Sequence, residues 1–243
     1  MKKARALLFI ASLALMAGAL VYKVNRWNRD TRTADAVSRF MIAGTEENGN
    51  KRLFMEIGNQ FIIKHPGFPD TLGYIKVNYR NMKPSPGGES ATGDNVLVSV
   101  IARQPDFLSG LMKSKADGNW IDPMYGNVSF PDTGEIRFGL SYRPQRVPGR
   151  PEELWQRIYS KTGSGRNDFV IKCIPPISIN SISEPKSCEM TFNLPIAANL
   201  SKSLSIVVDV DFDVDRLSDW KNIEKSISSF VGSRIVYDAV ATK

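Results

Sequence analysis

The stretch SIVVDVDFDVDRLSDW, residues 205–220, places Asp209, Asp211, Asp213 and Asp215 at every second position. Carboxylates so arranged suggest a hard-cation site, an acid–base pair, or a surface that meets a basic partner. A calcium loop of EF-hand type can be tested by counting. From Asp209, the sixth and twelfth positions need Gly and Glu but hold Val214 and Trp220; from Asp211 they hold Arg216 and Asn222. Both registers fail. Catalytic carboxylate pairs of the glycosidase kind come from separate elements that flank a substrate, not from one strand face. In an extended strand the aspartates share one face and Val208, Val210, Phe212 and Val214 share the other. An antiparallel sheet with one solvated face produces that alternation with no chemistry attached. The expectation is a solvated strand face, with Asp209, Asp211 and Asp213 as candidate contacts to a basic partner and metal binding or catalysis as the remaining alternative.

Other reactive residue types do not assemble into a motif. The single histidine, His65, precedes Pro66 and reads as a loop residue. No serine sits in a G-x-S-x-G elbow. Gly163-Ser164-Gly165 lacks the Lys-Ser/Thr ending of a phosphate-binding loop and reads as a flexible loop. Two cysteines and one distant histidine are an incomplete set for tetrahedral zinc. No catalytic residue, metal ligand or cofactor is assigned, and the chain is expected not to be an enzyme. Among the aromatics, Trp120, Tyr125, Trp155 and Tyr159 read either as core or as the lining of a cleft. The loops at 81–95 and 117–126, the latter with Trp120 and Tyr125, are the candidate contacts to a protein partner.

These residues need a compartment and a scaffold. The run from Ala6 to Tyr22 is 17 uncharged residues, preceded by Lys2, Lys3 and Arg5. That is the basic n-region and apolar h-region of an export signal. Either Ala17-Gly18-Ala19 is cleaved to release a periplasmic protein, or the run remains as a single-pass inner-membrane anchor near the lower length limit for spanning. Tyr22 and Trp27 then suit the interface. In both cases the body lies outside the cytoplasm. The two cysteines, Cys173 and Cys188, agree with an oxidising compartment. Phe169, Ile171 and Cys173 share one parity, and Cys188, Met190, Phe192 and Leu194 another, so two paired strands bring both sulfurs to one apolar layer. A disulfide closing that loop is expected, with two separately buried thiols as the alternative.

The chain has 243 residues with 42% apolar and 23% charged, ordinary for a globular body. Gly and Pro, 18 and 14, favour short strands and turns over a helix bundle. The net charge is +7, falling to +4 without the three basic residues of the leader. The remaining cations are scattered without a Lys/Arg run interleaved with aromatics, so no nucleic-acid partner is expected. Strands are read at 52–64 (bent near Gly58-Asn59), 74–79 and 96–102, and a hairpin is read with Pro131-Asp132-Thr133-Gly134 as its turn. Ile136, Phe138, Leu140 and Tyr142 would form one face of its second strand. A short helix is read from Pro151 to Ser160. Leu217, Trp220, Ile223, Ile227, Phe230 and Val231 mark one face of a C-terminal helix, with Asp215 or Ser218 as N-cap and Gly232 as its stop. The fold class is α+β: mainly antiparallel sheet with a C-terminal amphipathic helix packed on it, after an N-terminal transmembrane or signal helix. The domain reading is a leader at 1–22, a juxtamembrane linker at 23–34, a β-rich half at 35–143 and a disulfide-bearing half at 152–243, joined by a linker near 144–151.

The C-terminal half, NDFVIKC…EPKSCEMTFNL followed by LSIVVDVDFDVDRLSDWKNIEKSISSFV, resembles small periplasmic or inner-membrane proteins encoded beside type VI secretion effectors and taken as immunity proteins. The resemblance covers residues 165–235. It implies a protein partner, a secreted toxin and often a lipase, and offers no catalytic residues. Such a protein would hold to the inner membrane through residues 6–22. A structural or accessory subunit of a cell-envelope machine is the alternative function, and an envelope hydrolase the third.

Overall fold

The computed structural model of the chain describes residues 36–43, 51–63, 74–85, 90–103, 110, 120–122, 126–128, 130, 132–144, 156–162, 168–174, 187–194 and 205–239. The leader, the two linkers, His65, Tyr125, Trp155 and Gly163–Gly165 lie outside them. Among the described residues fifteen strands run in chain order: β1 (Val37–Ala43), β2 (Lys51–Gly58), β3 (Ile62–Ile63), β4 (Tyr74–Asn78), β5 (Lys83–Pro84), β6 (Asn95–Arg103), β7 (Trp120–Asp122), β8 (Gly126–Val128), β9 (Ile136–Arg137), β10 (Leu140–Pro144), β11 (Arg157–Ser160), β12 (Phe169–Ile174), β13 (Ser187–Leu194), β14 (Ser205–Asp213) and β15 (Ile235–Ala239). The C-terminal helix, α1, spans Trp220–Gly232.

The alternation at 205–213 does build a strand, β14, and places it in the middle of the main sheet. That sheet has ten strands in the order β3-β4-β6-β14-β13-β12-β11-β10-β9, with β5 paired to β4. Every pairing in it is antiparallel. From β9 to β14 consecutive strands are neighbours. β14 then pairs with β6, which lies far earlier in the chain, and β10 pairs with β11 across residues 145–156. The two sequence halves therefore share one sheet.

Ile206, Val208, Val210 and Phe212 turn to a core that also takes Val96, Val98 and Val100 from β6, Met190 and Phe192 from β13, and Phe169 and Ile171 from β12. α1 covers this face. The six residues read as its apolar stripe, Leu217 to Val231, are all buried there. Phe169 stacks on Trp220 with ring centroids 4.8 Å apart, and Phe61 on Phe230 at 5.3 Å. A fully buried aliphatic or aromatic side chain stabilises by about 1.5–3 kcal/mol, so this stripe is what holds α1 against the sheet. A second sheet, β1-β2-β15, adds Leu53, Met55 and Ile57 to the same core. β7 and β8 form a separate two-stranded ladder.

Cys173 and Cys188 are directly opposite each other on β12 and β13, bonded as a disulfide and buried in the core. The expected pairing holds, and the parity of the flanking apolar residues is the reason.

Three local expectations are corrected. The hairpin tip is not at 131–134. Asp132 accepts from the Gly134 N–H at 3.1 Å, making a turn that only leads into β9, and the chain reverses at Phe138-Gly139. Both turn residues have positive φ, 54° and 78°, the mirror-image geometry that suits a two-residue hairpin. Leu140 and Tyr142 are core, whereas Ile136 and Phe138 are exposed. Second, residues 157–160 are strand β11, not helix. Ile158, Tyr159 and Ser160 are all buried between β10 and β12, and sheet pairing on both sides overrides the local helical pattern. Third, α1 is not capped by Asp215 or Ser218. Residues 214–219 form a 3₁₀ helix whose N-cap is Asp213, accepting from the Asp215 N–H at 3.0 Å.

Because the disulfide closes a loop of sequence separation 15, its reduction should lower unfolding free energy by about 3 kcal/mol. Urea denaturation of the full chain with and without reductant reads this directly; an unchanged midpoint would show that the bond adds nothing to the sheet.

Candidate functional site

The face of β14 opposite the core carries Asp209, Asp211 and Asp213, all half-buried rather than freely solvated. Their neighbours explain why. On that face Leu97, Val170, Val207, Ile158 and Thr191 are buried as well. Asp211 lies between Leu97 and Glu189, Glu189 lies opposite Lys172, and Leu97 lies opposite Lys76. A cross-sheet row thus sets two acids between two bases, which offsets the repulsion of Asp211 and Glu189. Asp209 accepts from the Thr191 hydroxyl. Asp213 caps the 3₁₀ helix and also accepts from the Gly93 N–H at 3.3 Å. Asp209 and Asp213 therefore have defined structural roles. Among the described residues no group of three side chains could hold a metal ion.

Trp120 lies in β7, opposite Val128 on β8, in a ladder separate from the sheet that holds the aspartates. Tyr125, the other aromatic of that loop, lies outside the described residues. Of the loop at 81–95, Lys83 and Pro84 form β5 against Asn78 and Val77.

Sequence reasoning missed the place where charge and shape converge. It lies at the N-terminal end of α1, where the turn after β4 meets the helix. The Tyr79 hydroxyl donates to Asp219 Oδ2 at 2.6 Å. Arg80 reaches Asp94 at 2.9 Å and Asp219 at 3.2 Å, and Arg216 reaches Asp94 at 3.0 Å. Asn222 also donates to Asp219. The Tyr79 bond, with help from Asn222 and Arg80, holds the Asp219 carboxyl below its ordinary range. Burial first, and the Asp219 carboxylate next, push the Tyr79 hydroxyl well above its ordinary value. A tyrosine held protonated and a carboxylate held ionised by cations are poor proton-transfer groups near neutral pH. The cluster cross-links β4 to α1. No spacing rule predicts it, since its members come from positions 79, 80, 94, 216 and 219.

Beside this cluster a groove of about 630 Å³ runs along α1, its walls including Tyr79, Arg80, Met82, Lys225, Phe230 and Arg234. On the other flank of α1 a second groove, about 500 Å³, runs between the helix and the end of β13. The Phe138-Gly139 turn lies near the same helix end: the Trp220 indole Nε1–H donates to the Phe138 carbonyl at 3.0 Å. Phe138 is 49% and Ile136 56% exposed, and the Phe138 ring stacks at 6.2 Å on Tyr159. Tyr159 itself, one of the aromatics read as core or cleft, is core.

No family model matches the chain, and no curated protein matches it. Among solved structures, an immunity protein of the Stenotrophomonas maltophilia type IV secretion system is similar over 84% of this chain and 94% of that one, at 14% identity and a TM-score of 0.47. Its system is type IV, whereas the resemblance in residues 165–235 is to proteins beside type VI effectors. A likeness of this strength assigns neither the fold nor the function of the present chain.

Tyr79→Phe removes the donor that depresses Asp219. A carboxylate whose folded pKa is lowered stabilises above its unfolded pKa of about 4, and that stability disappears as pH falls through the folded value. The variant should therefore lose about 1–2 kcal/mol at neutral pH, and its difference from wild type should shrink below about pH 4. Denaturation midpoints across pH measure it; a difference independent of pH down to full acid unfolding would contradict the charge-assisted bond.

Proposed function

We propose that this chain is an exported protein that acts by binding another protein rather than by catalysis, and that its role is to neutralise a secreted toxin. The observation that carries the reading is the Phe138-Gly139 turn. A bulky residue at a φ of 54° is strained by roughly 1–2 kcal/mol relative to the right-handed regions. Here the strain comes with an aromatic and an aliphatic side chain, Phe138 and Ile136, held out to solvent. The Trp220 indole fixes the turn before any partner arrives. Rigid, exposed aromatic anchors of this kind are what binding hot spots are made of, because little ordering cost remains at association.

The buried Cys173–Cys188 bond supports a compartment that oxidises thiols. With the basic, apolar leader it favours a periplasmic body, and we take residues 6–22 to be kept as the inner-membrane tether. The resemblance over residues 165–235 extends the reading to a toxin of lipase type. Trp120, Tyr125 and the half-buried Asp209, Asp211 and Asp213 remain candidates at the edge of the contact. Among the described residues no helix is long and apolar enough to cross a membrane, and the leader is not among them. Intact-mass measurement of the protein from membranes should show residues 1–22 in place; a mature chain beginning after Ala19 would make it a soluble periplasmic protein instead.

Phe138→Asn tests the function. Asn tolerates positive φ, so the variant should keep or raise the melting temperature. Co-expressed in the periplasm with the toxin encoded beside it, the wild-type chain should restore growth, and the variant should bind the toxin about tenfold or more weakly, as for a hot-spot truncation. Equal protection by both would remove the turn from the contact. Absence of protection by wild type, with crosslinking into a large envelope complex, would favour the accessory-subunit reading.

A further inference from the structure

The outer face of α1 is not built for stability. Lys221, Lys225, Ser229 and Ser233 follow at four-residue intervals and so form one ridge along the helix and its end. Lys221 and Lys225 repel each other at that spacing. Lys221 stands in the first turn, where the helix dipole disfavours cations, and that turn carries no acid. Among the described residues the nearby carboxylates are engaged elsewhere. Asp219 is taken by Tyr79, Arg80 and Asn222, and Glu224 by Lys161 at 2.8 Å. Arg234 adds a third cation at the far end of the groove. It donates to the Phe230 carbonyl at 2.8 Å and lies over the Phe230 ring, and its only described partners are uncharged.

Shape agrees with charge. Lys225 and Ser229 line both grooves, so the ridge stands between two concave channels. The ridge is low, because serines and Gly232 hold its distal part, and a partner backbone can approach closely. Phe230 and Tyr79 lie buried beneath the larger groove, Arg234 covers the Phe230 ring, and the accessible apolar wall is the half-buried Met82, which with Phe138 is one of two non-glycine residues at positive φ among those described. A partner segment that carries carboxylates complements Lys221, Lys225 and Arg234 in charge and can lie along the grooves on both flanks of the helix.

We infer that the α1 ridge and its two grooves are the docking site for an acidic segment of the partner protein, with carboxylates meeting Lys221, Lys225 and Arg234 and an apolar side chain resting against Met82. This rests on the protein-binding reading above and names the chemistry of its partner.

The test uses the full chain in neutral detergent micelles and a fluorescent peptide of alternating Glu and Leu, against the same peptide with Gln for Glu. The Glu peptide should bind saturably, weaken as salt rises, and slow hydrogen exchange along residues 220–232; the Gln peptide should not. Lys221→Glu with Lys225→Glu should lower that affinity about tenfold or more, as for charge reversal at a complementary contact, at unchanged melting temperature. Arg39→Gln, on β1 of the second sheet, should leave it unaltered. Equal binding of both peptides, or protection outside α1, would overturn the inference. So would protection of α1 by micelles doped with phosphatidylglycerol and not by the peptide, which would give the ridge to lipid. In the toxin co-expression assay, full protection by the double lysine variant defeats the docking site and leaves the proposed function standing. Failure of wild type to protect defeats the function, while the peptide result still decides the ridge.

Discussion

The two-residue alternation of β14 is the constraint on which the rest of the molecule depends. One side of the strand must be buried and the other cannot be buried bare, because it carries carboxylates. Pairing with β13 and β6 on its two edges satisfies the backbone, and α1 satisfies the apolar side. The carboxylate side is settled by partners of several kinds: a threonine hydroxyl for Asp209, backbone N–H groups for Asp213, and a row around Asp211 in which two acids lie between two bases. A strand that reads as a chemical motif is thus a structural spine.

α1 transmits this order to the surface. Its apolar stripe locks it to the sheet, and its N-terminal end is tied down again by the Tyr79–Asp219 bond and the arginines around it. From that one anchored end come both surface features with functional promise. Trp220 holds the Phe138 turn, and the outward residues of the helix form the basic ridge between two grooves. Buried packing and the exposed basic ridge are therefore two sides of one helix, and a change that loosens one side disturbs the other.

The proposed role, binding in an oxidising compartment, would gain from such a plan. The disulfide joins β12 to β13 inside the core layer, next to the spine rather than at the rim. It restrains the unfolded chain, and the native surface is left free of it. The exposed aromatic and the cations can then be held in place by the fold instead of being ordered on contact.

Much of this was legible in the sequence because it depends on local periodicity. The period-two pattern of 205–213 specified β14, the three- and four-residue spacing from Leu217 to Val231 specified the buried face of α1, and the parity of the residues around Cys173 and Cys188 specified their pairing. Mainly antiparallel sheet with a C-terminal helix follows from the same signals. What only the tertiary structure decided has the opposite character. The seat of β14 beside β6, the strand at 157–160, the Tyr79–Asp219 cross-link and the grooves along α1 join residues far apart in the chain. The turn at Phe138-Gly139 defied its own propensities: a phenylalanine at positive φ is locally unfavourable, and a hydrogen bond from Trp220, 82 positions away, helps hold it there. Local patterns record which face of an element must be buried; which partner buries it is a matter of long-range energy, and no window of sequence contains it.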